Sequence, residues 1–319
     1  MATTAFPINP ELSAIAIGYR NRDIDLIADQ VLPRVQKGGK KFAYIKYTQA
    51  DGYTVPNTQV GRKSEPTMVD FGGTLINAEC VDWGLDDTVP IDEIEAWSAM
   101  MKPAGGGSVS PLAKSTSLLA GLINLDREIR VANLVFAAAT YPAGNTVTLS
   151  GTSQWSDFTN SNPVDAILVA LDIPLFRPNL LVFGQAVWTK IRQHPKMVQA
   201  VFGSAATSGA ITRQQAADLF EVNQILVGAG FVNTAKKGQT PSYSRVWGKH
   251  VAALYVSPDA ADADQPTFGF TAQFGTRVAG NIDAPRTGLR GSTIVRVGES
   301  VLEVISANDV GYFWQNAVA

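Results

Sequence analysis

The only two histidines, His194 and His250, are the first residues to test for chemistry. Neither has a cysteine, a second histidine or a carboxylate at the spacing of metal ligands, so the sequence argues against a zinc site. His194 precedes Pro195 at a predicted helix end, where a positive charge interacts favourably with the helix dipole, and we interpret it as structural. A Ser-His-Asp hydrolase can draw its residues from distant parts of a chain, but no Gly-x-Ser-x-Gly nucleophile elbow is present here.

The single cysteine, Cys80, lies close to two acidic residues, Glu79 and Asp82. A neighbouring negative charge raises a thiol pKa, whereas a nucleophilic cysteine needs a lowered one. We therefore expect Cys80 to be a packed small side chain. A single cysteine also excludes an intrachain disulfide.

Residues 107–115 have the outline of a phosphate-binding loop that ends in a lysine and a serine. Ser108 and Ala113 stand at its two glycine positions, and Pro111 lacks the backbone N–H that would cradle a phosphate. Acidic pairs elsewhere in the chain are typical of solvated loops and helix starts. The sequence therefore predicts no catalytic residue, no metal and no cofactor.

Four arginines lie in one 20-residue stretch, which contains several glycines and is predicted to form strands. Guanidinium groups suit bidentate contacts with carboxylates or phosphates. We favour salt bridges between subunits over phosphate contacts, because the formal net charge of the chain is −2 and its pI is about 5.8. The four predicted contact residues are Arg277, Arg286, Arg290 and Arg296.

The composition of the 319 residues is that of an ordinary globular protein, with 45% hydrophobic and 17% charged residues. The length favours about two domains. No apolar run approaches 18 residues, so no membrane span is expected, and the first residues lack the pattern of a secretory signal. The near-neutral charge argues against broad electrostatic binding of nucleic acid.

An extended, turn-rich segment occupies residues 42–89. Its strand-like pieces are 42–47, 68–71 and 75–83, and turn formers separate them. Two legs of about 15 residues, each rising about 3.3 Å per residue, would reach about 50 Å. A hairpin of that length is marginal alone in water and too polar to form its own core. We predict that it lies on a neighbouring copy of the same protein.

A long helix is predicted after the glycines at 105–107, capped by Ser115 and ending near Ala139, before Tyr141-Pro142. About 25 residues at 1.5 Å each make it about 37 Å long. It is either an ordinary amphipathic core helix or a spine along an elongated subunit, and the preceding extended segment favours the spine. Its predicted apolar stripe is Leu118, Leu122, Leu125, Ile129, Ala132 and Phe136.

Helices and strands alternate over residues 163–279, which predicts a compact α+β domain, and strands return over 280–319. The fold class predicted for the whole chain is α+β. Several segments resemble the major capsid proteins of tailed bacteriophages that have the Hong Kong phage-type shell fold. The segments that carry this resemblance are 14–21, 60–63, 245–250, 268–275, 288–291 and 310–313.

The resemblance implies a division of the chain into an N-terminal arm (1–41), an extended loop formed by a β-hairpin (42–84), a peripheral domain with a long spine helix (85–145), an axial domain (146–279) and a return to the peripheral sheet (280–319). Within the extended loop it places the further contact candidates Tyr53, Arg62 and Lys63. Some relatives join subunits through lysine–asparagine bonds. We interpret Lys63 as an exposed contact lysine, because no catalytic glutamate can be assigned.

By the same resemblance, the chain is expected to be a structural protein and not an enzyme. It would self-assemble through hexamers and pentamers into an icosahedral head that encloses double-stranded DNA without sequence-specific binding. Because no long scaffolding region precedes the arm in this sequence, we expect a separate scaffolding protein, a portal and a decoration or minor capsid protein as partners. The expected location is the virion, with assembly in the bacterial host cytoplasm and no membrane contact. An enzyme with a pocket in 163–279 and a nucleic-acid-binding module remain as alternatives.

Overall fold

The structure is a computed structural model, and it describes residues 6–18, 26–47, 54–69, 73–101, 110–206, 208–257 and 266–319. The helices are α1 Pro10–Gly18, α2 Ala28–Val31, α3 Ile91–Met101, α4 Pro111–Val135, α5 Pro163–Leu171, α6 Gln185–Ile191, α7 Pro195–Phe202 and α8 Arg213–Phe220. The strands are β1 Arg34–Lys37, β2 Lys41–Tyr47, β3 Gly73–Glu79, β4 Val81–Pro90, β5 Thr146–Thr148, β6 Leu180–Gly184, β7 Gln224–Gly228, β8 Phe231–Asn233, β9 Tyr243–Arg245, β10 Val251–Leu254, β11 Gly269–Ala284, β12 Ser292–Ile305 and β13 Gly311–Gln315.

One sheet has four strands in the order β1-β11-β12-β4. Strands β11 and β12 form a long antiparallel hairpin, and β12 also pairs antiparallel with β4. Helices α1 and α4 pack on this sheet through a small apolar core that includes Leu12, Ile123 and Val297. The sheet therefore connects the beginning of the described chain to its long helix.

The second sheet has five strands in the order β5-β13-β10-β6-β7. Alternate residues of its central strands enter two different cores: Leu181 and Phe183 face one, whereas Leu180 and Val182 face the other. Helices α5 to α8 cover the first face, and the end of α4 covers the second. Burial on both faces explains why β6 and β10 are continuous apolar runs.

The structure differs from predictions made from the sequence in three places. The segment predicted as one strand over 75–83 breaks at buried Cys80, where the chain leaves β2 and pairs with β12 instead. Strand β11 runs across residue 279, the predicted end of the axial domain, and lies entirely in the four-stranded sheet. Strand β13 lies in the five-stranded sheet rather than with β12, because its aromatic side chains fill the two cores on either face of that sheet.

Helix α4 has its N-cap five residues earlier than predicted. Ser110 is its N-cap and accepts a hydrogen bond from the backbone N–H of Ala113 (3.2 Å), and Pro111 occupies the first helical position. A proline there needs no N–H donor and has a helical φ already, so this pair starts the helix more strongly than Ser115. The side chain of Ser115 instead donates to Asp87 (2.6 Å).

The buried face of α4 is rotated from the predicted stripe. Leu119, Ile123 and Val131 are buried, whereas Leu118 and Leu122 are 58% and 54% exposed. The helix is apolar over much of its circumference, so its periodicity alone does not identify the core-facing side. No helix in the described part of the chain is long and apolar enough to cross a membrane.

Candidate functional site: contact surfaces and a buried charge network

The extended hairpin consists of β2 and β3, which pair from Lys41–Glu79 to Tyr47–Gly73. Its base is held by an edge-to-face contact of Tyr44 with Phe270, with ring centroids 6.1 Å apart. Beyond the strands, every residue of 54–69 except Pro56 is exposed. Val55 and Met68, for example, are 81% and 98% exposed. The subunit's own core therefore buries almost nothing of this segment.

Two of the three predicted contact residues of the extended loop can be placed, and Tyr53 lies outside the described residues. Arg62 and Lys63 are exposed at a turn that is closed by the Ser64 N–H donating to the Gly61 carbonyl (3.0 Å). Neither side chain makes an ion pair with another described residue. Both cations are therefore available for contacts outside the subunit.

The other predicted contact arginines differ in their surroundings. Arg286 is exposed and has no ion-pair partner among the described residues. Arg290 pairs with Asp92 (3.1 Å), and Arg296 forms two 2.7 Å hydrogen bonds with Asp86. Exposed pairs of this kind contribute little to stability, so they leave Arg290 and Arg296 free to exchange partners.

Arg277 has a role inside its own subunit, unlike the predicted contact between subunits. The register of β11 shifts between Phe274 and Val278, and Gly275 takes a positive φ of 68° in this bulge. The bulge turns Arg277 inward, where it is 7% exposed. Its guanidinium donates to Glu299 (2.8 and 3.2 Å), to the Asn124 side chain (2.7 Å) and to the Ala16 carbonyl (3.2 Å). Sequence spacing gave no sign of this bulge.

Glu299 is the centre of a buried charge network that connects α1, α2, β1, α4, β11 and β12. Arg34 donates to it from β1 (2.9 Å), opposite Arg277. Burial alone would raise the pKa of Glu299, but the two guanidinium groups outweigh burial and hold it below its ordinary value. Asp29 forms ion pairs with Arg34 and Arg127. Partial burial would raise the pKa of Asp29, but these two cations outweigh it and hold the pKa below its ordinary value. Arg127 itself is buried and also donates to the Leu32 carbonyl (3.2 Å).

Glu128 joins three segments through its carboxylate. Helix α2 has no side-chain N-cap of its own, and the backbone N–H groups of Ile27 and Ala28 donate to Glu128 across 3.0 and 2.8 Å. The indole Nε1–H of Trp247 donates to the same carboxylate (2.5 Å). Glu128 and Trp247 are both fully buried. Burial raises the pKa of Glu128 in spite of these donors.

His194 is held as a neutral structural group. Its Nδ1 accepts a hydrogen bond from the Lys196 N–H (3.2 Å), so the proton resides on Nε2, which faces the Ser161 hydroxyl at 3.1 Å. Ser161 in turn donates to the Asp157 carbonyl (2.6 Å). A histidine that donates to a serine cannot also remove its proton. The predicted dipole role needs correction, since His194 caps the start of α7 and burial lowers its pKa.

The remaining candidate for chemistry, Cys80, is 1% exposed, and burial raises the pKa of its thiol. The predicted direction of the shift agrees, although burial rather than neighbouring charge is its largest cause. No group of three or more His, Cys, Asp or Glu side chains within the described ranges is placed to hold a metal ion. The organised features of this structure are therefore contact surfaces and a charge network.

No family model matches the chain. A protein of Pseudomonas phage JBD67, named a major capsid protein, is 45% identical over 319 residues, which cover 100% of both chains. The chain belongs to the bacteriophage major capsid proteins. A second capsid protein of this family, from Burkholderia phage BcepMu, is 24% identical over 277 residues, covering 83% of this chain and 82% of the relative.

Solved structures agree on the capsid fold. A phage-related protein from Bordetella bronchiseptica RB50 superposes with a TM-score of 0.74 at 24% identity, over 98% of this chain and 99% of the other. The capsid structure of cyanophage P-SCSP1u gives a TM-score of 0.55 at 10% identity, over 92% and 88%. The α+β class and the resemblance to phage capsid proteins are thereby confirmed.

The lowered pKa of Glu299 predicts how stability depends on pH in this capsid protein. A carboxyl with a folded-state pKa below its ordinary 4.5 stabilises the fold above that value, and this contribution is lost as the pH falls through the folded-state pKa. We expect Glu299→Gln to lower the melting temperature of the unassembled subunit at pH 7, and the difference between the two melting temperatures to shrink as the pH falls below 4.5.

The control is Glu65→Gln, which neutralises an exposed carboxylate without a partner among the described residues. Its melting temperature should follow the wild type at every pH. A Glu299→Gln variant whose melting temperature runs parallel to the wild type from pH 7 to pH 3 would show that the network does not hold Glu299 ionised.

Proposed function

We propose that this chain is the structural subunit of a phage head, and that its copies assemble into an icosahedral shell around double-stranded DNA. The observation that carries the proposal is the 45% identity with a named major capsid protein over the full length of both chains. The capsid-fold neighbours support self-association as the main activity. A shell subunit acts by burying surface against its copies, where many weak contacts combine into a stable assembly.

The proposed division follows the capsid family and the two sheets. Residues 1–41 form an arm, 42–84 contain the extended loop, and 85–145 belong with the four-stranded sheet as a peripheral domain. The axial domain begins near 146 and is built on the five-stranded sheet. Residues 280–319 return to the peripheral sheet through β12, and we assign the last strand, β13, to the axial domain.

The proposed contact surfaces are exposed segments that no part of the described chain covers. The residues 54–69 expose large aliphatic side chains together with Arg62 and Lys63, which is costly in water and typical of a surface that a neighbour covers. Tyr53, Arg286, Arg290 and Arg296 complete the proposed contacts between subunits. We omit Arg277, because its donors already have partners within the subunit.

The proposed partners are other copies in hexamers and pentamers, a separate scaffolding protein, a portal and a decoration or minor capsid protein. Assembly would take place in the host cytoplasm, and the mature location would be the virion. The chain would have no catalytic activity. The tautomer of His194 supports this last proposal, since it removes the base from the one buried serine–histidine pair that we describe.

Sedimentation of the purified full-length chain tests the shell proposal. We expect species of capsomer size or larger, with six copies of the 34.0 kDa chain giving 204 kDa, and rings or closed shells in negative-stain images. Bovine serum albumin, sedimented at the same concentration, controls for effects of concentration that do not involve assembly. A protein that stays a monomer or dimer at every concentration, without rings or shells, would contradict the proposal.

A further inference from the structure

Charge is unevenly distributed along the chain. Residues 173–257 contain nine Lys and Arg and only two Asp and Glu, a formal charge of +7, whereas the whole chain has −2. The remaining residues therefore carry −9. Asp259, Asp262 and Asp264 follow this stretch and lie outside the described residues. A near-neutral total conceals a strongly basic segment.

Eight of these nine cations are exposed and have no ion-pair partner among the described residues. Only Arg177 is paired, with Asp172 (3.7 Å) and Glu221 (3.4 Å). The other carboxylates of residues 146–257 accept hydrogen bonds from nearby side-chain amides instead of pairing with these cations. The donors are Gln214 for Asp218, Asn160 for Asp157 and Asn162 for Asp165. We call the unpaired set the basic edge, and it consists of Lys190, Arg192, Lys196, Arg213, Lys236, Lys237, Arg245 and Lys249.

Several members of the basic edge, namely Lys249 and those on β8, β9 and their connecting loop, lie on one side of the five-stranded sheet. Strands β6 and β7 end together at the pair Gly184–Gly228, and β10 begins beside them, because the Gly184 N–H donates to the His250 carbonyl (3.1 Å). Helix α6 begins at this side, and so does the two-stranded antiparallel ribbon formed by β8 and β9. Lys249 lies at the same side, just before β10 begins.

Two further arginines lie together near this side of the sheet. The Arg192 carbonyl accepts from the Ile211 N–H (2.9 Å), which brings Arg192 close to Arg213, the first residue of α8. Helix α8 ends four residues before β7 begins and packs against it, so its first residue lies toward the side where β7 ends.

The β8–β9 ribbon presents an aromatic and basic surface. Phe231 pairs with Arg245 in the ribbon register, and the Arg245 guanidinium lies over the Phe231 ring, 4.7 Å from its centroid. Tyr243 is 69% exposed two residues away on the same face. Lys236 and Lys237 are at the tip. No acidic residue occurs between Glu221 and Asp259, so nothing on the ribbon offsets its three cations.

We infer that the basic edge binds the phosphate backbone of double-stranded DNA. The inference rests on the proposed shell function only for the identity of the polyanion. Duplex DNA carries about one negative charge per 1.7 Å and can meet cations that come from several elements. Phosphate contacts need no base recognition, which suits a protein that encloses DNA of any sequence.

A second copy of the chain is a poorer match for the basic edge. Most acids of the other described residues already bind within their own subunit, as the buried Glu299 does with Arg277 and Glu303 does with Arg130. The carboxylates that remain without an interaction in the described ranges are scattered over several elements, and they are Glu11, Glu65, Glu93, Glu95 and Asp283. Such dispersed charges do not form a complement to the cations of the basic edge.

The test measures binding of the full-length, unassembled protein to a fluorescent DNA duplex of about 30 base pairs at several salt concentrations. If about five cations contact phosphates, log K should fall with log salt at a slope of about −4.5, a loss of about 500-fold between 50 and 200 mM. Neutralising the ribbon with Lys236→Gln, Lys237→Gln and Arg245→Gln should reduce the slope to about −1.8, a loss of about 12-fold.

The matched control is Lys46→Gln, Lys114→Gln and Arg286→Gln, which removes the same charge from exposed sites outside the basic edge. This control should keep the wild-type slope. Equal slopes in the two triple variants, or no duplex binding at 50 mM salt, would overturn the inference. So would a ribbon variant that binds DNA like the wild type and fails only to form shells, because the partner would then be a second copy. DNA binding through the basic edge by a protein that never forms shells would instead overturn the proposed function.

Discussion

Replacing residues 53–66 with a short Gly-Ser turn is expected to abolish shell formation and to leave a folded, soluble subunit. The described part of this segment is almost entirely exposed, so the subunit core loses very little when it is removed. Shortening a surface loop changes its closure entropy only slowly with length. Between subunits we expect a large loss, since the aliphatic side chains and the Arg62–Lys63 turn would no longer reach a neighbour. Circular dichroism, a thermal melt and sedimentation measure the three properties.

A second variant distinguishes reach from side-chain contacts. It replaces the same 14 positions with Gly and Ser at unchanged length, so the loop still spans the distance but has no anchoring side chains. We expect this variant also to fail in assembly. A deletion that unfolds the protein would place 53–66 in the subunit core, and normal shells from either variant would exclude the segment as a clasp between subunits.

Glu128→Ala is expected to lower the free energy of unfolding of the subunit by about 3–5 kcal/mol. The substitution leaves three buried N–H donors, from Ile27, Ala28 and Trp247, without their acceptor, and each unsatisfied buried donor costs about 1–3 kcal/mol. The substitution also removes the free-energy cost of burying a carboxylate. The expected loss is therefore smaller than three times the largest cost of one unsatisfied donor. Urea denaturation of the unassembled protein measures the difference.

Two variants calibrate this result. Glu128→Gln keeps one carbonyl oxygen as acceptor and should lose less than the alanine variant. Asp126→Ala, two residues earlier on the same helix, removes an exposed carboxylate that pairs with Arg130, and should cost less than about 1 kcal/mol. If Glu128→Ala costs no more than Asp126→Ala, the buried carboxylate does not hold the three segments together.

The alternation of helices and strands over residues 163–279 could be predicted from the sequence, because its signals are local. Helix α5 starts at a proline after Asn162, α8 starts at the Thr212–Gln215 capping box, and β6 is a short apolar run. The long helix was recognised from its period, but its buried face was misassigned. Leu118 and Ile123 are equally apolar, and only the position of the sheet decides which of them is covered.

The less local features could not be predicted from the sequence. Arg277 points inward because of a bulge in β11, and Glu128 caps a helix that lies about 100 residues away in sequence. Both depend on tertiary contacts that no periodicity records. The basic edge is a different case, since the uneven charge was present in the sequence. The net charge of −2 for the whole chain masks the formal charge of +7 on residues 173–257.

The position of β13 has a consequence for the timing of folding during synthesis. This strand separates β5 from the other three strands of its sheet, and Asn145, just before β5, donates to the Asp309 carbonyl across 164 residues of sequence. A ribosome adding about 5–20 residues per second needs at least several seconds to pass from β5 to β13. The half-made sheet must wait for that time with an open edge, and pairing across so long a loop is intrinsically slow. A nascent chain therefore cannot complete its five-stranded sheet until the last strand has emerged from the ribosome.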